Sequence, residues 1–142
     1  MTRAVTQSVP RHTERRRGLA SAELAVVLST LMFICLATCD YARCIYATVT
    51  VANCARNGAL YECDPAFAKS TPYTSLTAAV QADAGNLSPA PSGTSATVTD
   101  SNGNQTVAVT VTYPFQCLVS YPGIPSSFTI SRTVTMAAAP SP

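Results

Sequence analysis

The chain has 142 residues, 11% of them charged, no tryptophan and a formal net charge of +2, which fits one anchored domain with a modest core and excludes a large soluble enzyme. Five of the nine basic residues (Arg3, Arg11, Arg15, Arg16, Arg17) precede an apolar run from Leu19 to Cys39, and beyond that run four basic residues face five acidic ones. This asymmetry is a membrane orientation signal and not a nucleic-acid footprint, because no basic, aromatic-interleaved stretch is present for phosphates and bases to use.

Residues 1–18 read as a basic leader held in the cytoplasm. Residues 19–39 read as a transmembrane helix, because at the helical rise this run spans about 30 Å, the thickness of a bilayer hydrocarbon core. Glu23 lies inside the run, where a carboxylate is costly and marks a functional position by default. Its alternative is to snorkel to the interface near the arginines. Three fates are open to the anchor. An ordinary secretory signal has a shorter apolar core and fits poorly. A lipoprotein signal would use Leu36, Ala37, Thr38 and Cys39, with Cys39 lipidated, although Thr38 stands where a smaller residue is expected. Cleavage between Gly18 and Leu19 would instead leave the whole helix on the product, with Glu23 as its fifth residue.

No glycine or proline occurs between Leu19 and Asn57. Ala42, Ile45, Tyr46, Val49, Ala52, Ala55 and Ala59 recur at helical spacing, so residues 40–62 continue the helix outside the membrane. Gly58 then predicts fraying and Pro65 a stop. Residues 63–142 form a small exported α+β domain. Thr74 to Ala84 predicts a short helix with Gly85 and Asn86 past its end, and Leu87 to Gly93 a loop. Thr94–Thr99 and Gln105–Tyr113 predict a hairpin around Asp100–Asn104, a turn with calcium-friendly oxygens but without the length or closing glutamate of an EF-hand loop. Phe128–Met136 predicts a third strand, with Phe128, Ile130, Val134 and Met136 on one face to cover the helix. Arg132 shares that face. It either pairs with Glu62 or Asp64 or extends its head past the sheet edge, and the second is favoured for an arginine.

A basic leader, a glycine at the cut, an apolar helix and a glutamate at position five resemble the type IV prepilin signal. Arg17, Gly18 and Glu23, then Asp40, Tyr41 and Arg43, then Asn53, Ala55, Arg56 and Gly58 resemble one branch of it, the TadE-like family of pseudopilins of the tight adherence (Flp pilus) machinery. The likeness is densest from Arg17 to about Tyr61 and looser from Val107 to Met136. Leu24 stands where the family has an aromatic, and Ser29 where it often has proline. The resemblance implies a pilin-like α+β fold with a small three-stranded antiparallel sheet. It also implies cleavage by a prepilin peptidase and a Glu23 that meets the new amine of a neighbouring subunit's Leu19, two charges that lipid tolerates better as a pair. The implied partners are other pilins or pseudopilins, the bacterial inner membrane and the pilus secretion machinery.

In an oxidising periplasm, Cys63 after the helix and Cys117 after the second strand are the candidate disulfide. Cys35, Cys39, Cys44 and Cys54 read as small apolar packing residues. The one histidine, His12, lies in the leader, so neither a metal site nor a histidine base is expected in the processed chain. No phosphate loop or nucleophile elbow occurs, and the expectation is a non-enzymatic subunit without cofactor. The competing reading is a membrane-anchored lipoprotein or exported binding module lipidated at Cys39.

Overall fold

The computed structural model describes residues 13–99, 104–120 and 123–139, with side chains from residue 19 onward. Helix α1 (Thr13–Cys63) is followed by short helices α2 (Pro65–Ser70) and α3 (Leu76–Gln81), then by strands β1 (Ser92–Thr99), β2 (Gln105–Gln116) and β3 (Ser127–Ala137). The chain divides into two compact units, Met1–Thr38 and Cys39–Pro142. Most of the leader, His12 included, and the turn residues 100–103 lie outside the described residues.

In the first unit, from Leu24 to Leu36, α1 carries no charged residue and is apolar around its circumference. Leu24, Val26, Val27, Leu28, Leu31, Met32, Phe33 and Ile34 are all exposed, and the most apolar window of the helix has a mean hydropathy of 2.2 with none of it buried. Such a surface suits lipid or other helices and is unfavourable in water. Between Glu23 and Asp40 the hydroxyl side chains are Ser29, Thr30 and Thr38. Each donates to the carbonyl four residues back, at 2.8 Å to Ala25, 3.0 Å to Val26 and 2.8 Å to Ile34. These hydroxyls are thus satisfied within the helix, as a bilayer core requires.

In the second unit the three strands form an antiparallel meander in the order β1-β2-β3. Alternation in β2 turns Val107, Val109, Val111, Tyr113 and Phe115 toward α1, where Ala47, Val51, Cys54, Ala55 and Ala59 are buried with them. Small helix residues let the strand approach closely, and the larger β2 side chains fill the layer. Pro114 is tolerated in the central strand because β1 ends opposite Thr112, so beyond that point β2 has a neighbour only on its β3 side. Ile130 is buried, Val134 and Met136 pack against the core, and Phe128 is partly exposed.

The structure shifts several expected boundaries and two expected roles. Gly58 does not fray the helix. A Cβ there would lie 2.8 Å from Val80 Cγ2, 3.0 Å from Val109 Cγ1 and 3.1 Å from Leu76 Cδ1, so the glycine lets α3 and β2 close on α1. Val80 sits equally tight on Gly93, at 2.8 Å from the position a Cβ would take. Pro65 ends α1 but begins α2, because proline suits a first helical turn, and Asp64 caps that turn by accepting from Ala66 N at 2.8 Å. The short helix α3 covers only Leu76–Gln81, capped by Ser75, and stops short of Ala84. Strand β1 starts two residues earlier than expected, and β2 runs three residues further.

Candidate functional site

Leu19 and Glu23 lie on the exposed surface of α1. Gly18 falls within the helix, and its surroundings are outside the described residues. Among the described residues the one ion pair is Arg43–Asp40, and Glu23 takes no part in it.

The densest polar constellation sits just past the apolar run. Asp40 is buried. Its Oδ1 accepts from Leu118 N at 2.9 Å and from Arg43 Nη1 at 3.0 Å, and its Oδ2 accepts from Leu118 N at 3.1 Å and Val119 N at 3.4 Å. Arg43 Nη1 also donates to Gln116 O at 3.4 Å, and its guanidinium lies 5.4 Å from the centre of the Phe115 ring. The carboxylate therefore satisfies backbone donors that have left the ladder at the end of β2, while the arginine neutralises it. The Leu118 N–H, together with Val119 N–H and Arg43, holds the Asp40 carboxyl below its ordinary value against the opposing effect of burial. Asp40 and Arg43 thus form a latch between helix and sheet.

The remaining motif positions divide by face. Ala55 and Gly58 are buried in the helix–sheet contact, whereas Asn53 and Arg56 are exposed. Tyr41 is 68% exposed and begins a ridge with Ile45 and Val49 that no other part of the second unit covers. Sequence reasoning missed three links that fasten the α3–β1 segment. Asn57 Nδ2 donates to Asp83 Oδ2 at 2.8 Å, Asn86 Nδ2 to the Tyr46 hydroxyl at 3.0 Å, and the Tyr113 hydroxyl to Ser88 O at 3.3 Å. No motif marks them, since each joins residues distant in sequence.

One pairing is corrected. Cys63 and Cys117 are free thiols at opposite ends of the sheet. Cys63 O accepts from Ala139 N and Gln105 O from Ala138 N at the start of β2, while Asp40 binds Leu118 at its end. Roughly 35 Å of strand separates the ends, and a disulfide needs Cα atoms within about 7 Å. Arg132 lies exposed opposite Val111 and, among the described residues, pairs with neither Glu62 nor Asp64, in line with the favoured reading of an unpaired arginine on an edge strand. Burial, reinforced by Asp83, raises the pKa of the Cys54 thiol, and burial with Asp64 raises that of Cys63, so both behave as packing residues and not as nucleophiles.

These features define a class: an exposed apolar helix of membrane-spanning length, and a small antiparallel α+β domain whose own stretch of that helix is latched to its sheet by a buried carboxylate. The family model described as TadE-like protein matches residues 18–60. Over that segment, from Gly18 through the latch to Leu60, the chain is similar to the TadE-like family, which supports a Tad pilus-related role. Comparison with curated proteins and with solved structures gives no match.

Proposed function

We propose that this chain is a minor pseudopilin: a non-enzymatic, single-pass subunit cut between Gly18 and Leu19 by a prepilin peptidase and used in assembling tight adherence pili. Its N-terminus faces the cytoplasm, its sheet domain is exported across the bacterial inner membrane, and it partners other pilin-like helices and the pilus secretion machinery. The observation that carries this reading is the coincidence of the TadE-like segment with an apolar helix that is exposed among the described residues, bearing Glu23 five residues into the expected product. A carboxylate there is stabilised by the new amine of a neighbouring Leu19 when helices gather. The exposed ridge of Tyr41, Ile45 and Val49 extends the surface for such gathering beyond the bilayer.

The mature N-terminus tests it. A chain beginning at Leu19 supports the pseudopilin, one beginning at a lipidated Cys39 replaces it with the lipoprotein, and an intact Met1 removes the processing step. Glu23→Ala should still insert but should not enter the assembly; normal pilus formation by that variant would leave Glu23 with snorkelling alone.

A further inference from the structure

We propose that Leu118 and Ile124, on the described parts of the connection between β2 and β3, rest in the interfacial layer of the bilayer that α1 enters, giving the exported unit a second lipid contact that is not helical. The inference rests on the membrane-spanning reading of α1 and is independent of cleavage at Gly18 and of pilus assembly.

Its position follows from the latch. Asp40 is the first residue past the apolar run, so it stands where the helix leaves hydrocarbon, and its carboxylate holds the turn there through Leu118 N at 2.9 Å. Arg43, three residues further along the helix, fixes Gln116 O at the same level. The connection, closed by Cys117 N donating to Ser126 O, carries two exposed apolar side chains: Leu118 is 61% exposed and Ile124 58% exposed. Turns in water favour Asn, Asp and other polar residues. Here no charged residue occurs anywhere from Ser101 to Ser131. The far end of the unit differs, carrying Glu62, Asp64 and Lys69 around the α1–α2 junction.

A soluble domain with this distribution would leave its largest exposed turn side chains in water. A domain tethered by Asp40 at the bilayer surface brings them into the headgroup and upper acyl region, where apolar side chains are stabilised without crossing the membrane. Tyr41 beside the latch suits that level as well, since tyrosine is enriched at membrane–water boundaries. The backbone N–H groups of Leu118 and Val119, which would be costly to bring unpaired into an apolar layer, are already bonded to Asp40. The latch thus makes the turn compatible with lipid as well as placing it there.

The absence of tryptophan from the chain supplies the experiment. Leu118→Trp, Ile124→Trp, Val98→Trp and Leu31→Trp each create a sole tryptophan, excited selectively over the tyrosines, in the full-length protein, reconstituted at one copy per lipid nanodisc containing phospholipids brominated either high or deep on the acyl chain. Leu31→Trp should be quenched by the deep bromines. Loss of that signal would overturn the membrane span itself, on which the inference rests. With it present, Leu118→Trp and Ile124→Trp should be quenched by the shallow bromines several-fold more than Val98→Trp, an exposed position at the far end of β1. Equal quenching at the three positions overturns the inference. So does shielding of the turn that arises only when two copies share a disc, because the cover would then be a second subunit.

Discussion

Replacing Gly58 by alanine sets two effects of known sign against each other. An alanine in a helix interior is favoured over glycine by about 1 kcal/mol, so Gly58→Ala would stabilise the chain if the position were the frayed end that its sequence suggests. In the folded unit, however, the new methyl meets Val80 Cγ2 at 2.8 Å, Val109 Cγ1 at 3.0 Å and Leu76 Cδ1 at 3.1 Å. Leu76 can yield, because it is only partly buried and long. Val80 and Val109 are fully buried and branched at Cβ, and Val80 is already seated on Gly93. Overpacking of this kind costs about 1–3 kcal/mol, which leaves a net destabilisation of about 1 kcal/mol. Denaturant unfolding of the full-length protein in micelles, followed by near-ultraviolet circular dichroism, reads the change. Val80→Ala should destabilise by itself, but in that background Gly58→Ala should become neutral or stabilising, a coupling of about 1–3 kcal/mol. If Gly58→Ala raises stability in the wild-type background, the close approach of α3 and β2 to α1 is wrong.

Acid should release the latch. Because the folded Asp40 carboxyl is depressed, its contribution is fully present above the unfolded value and disappears as pH falls through that value toward the folded one. Asp40→Asn should be less stable at neutral pH and lose that part of the acid dependence in a pH series of melting curves. All six cysteines should react with a thiol reagent in denaturant without prior reduction, and Cys117→Ser should change stability by no more than about 0.5 kcal/mol; a reductant-sensitive melt would restore a disulfide. Arg132→Ala should likewise leave the unfolding midpoint and its salt dependence unchanged, since the guanidinium has no acidic partner among the described residues.

The readable parts of the chain are those governed by local pattern. Apolar length and the absence of Gly and Pro from Leu19 to Asn57 determine α1, and alternation in Val107, Val109 and Val111 determines β2. The Ser92 start of β1 was hidden because Pro91, Ser92 and Gly93 look like loop residues. Their pairing with Val111 and Thr112 is a tertiary event. Pro65 stops α1 as its sequence predicts, but α2 beyond it was hidden for a similar reason: proline excludes continuation of one helix and favours the start of the next, which the Asp64 cap secures.

By itself the sequence determined where an apolar helix is long enough to cross a membrane, the TadE-like segment and the α+β class, because each depends on neighbours within a few residues. The tertiary structure decided what Asp40, Gly58 and the cysteines do. Asp40 finds its donors 78 residues away, Gly58 is defined by side chains from α3 and β2, and the antiparallel course of β2 along α1 carries Cys117 away from Cys63. Contacts at such separations depend on chain direction and register, which no local period encodes.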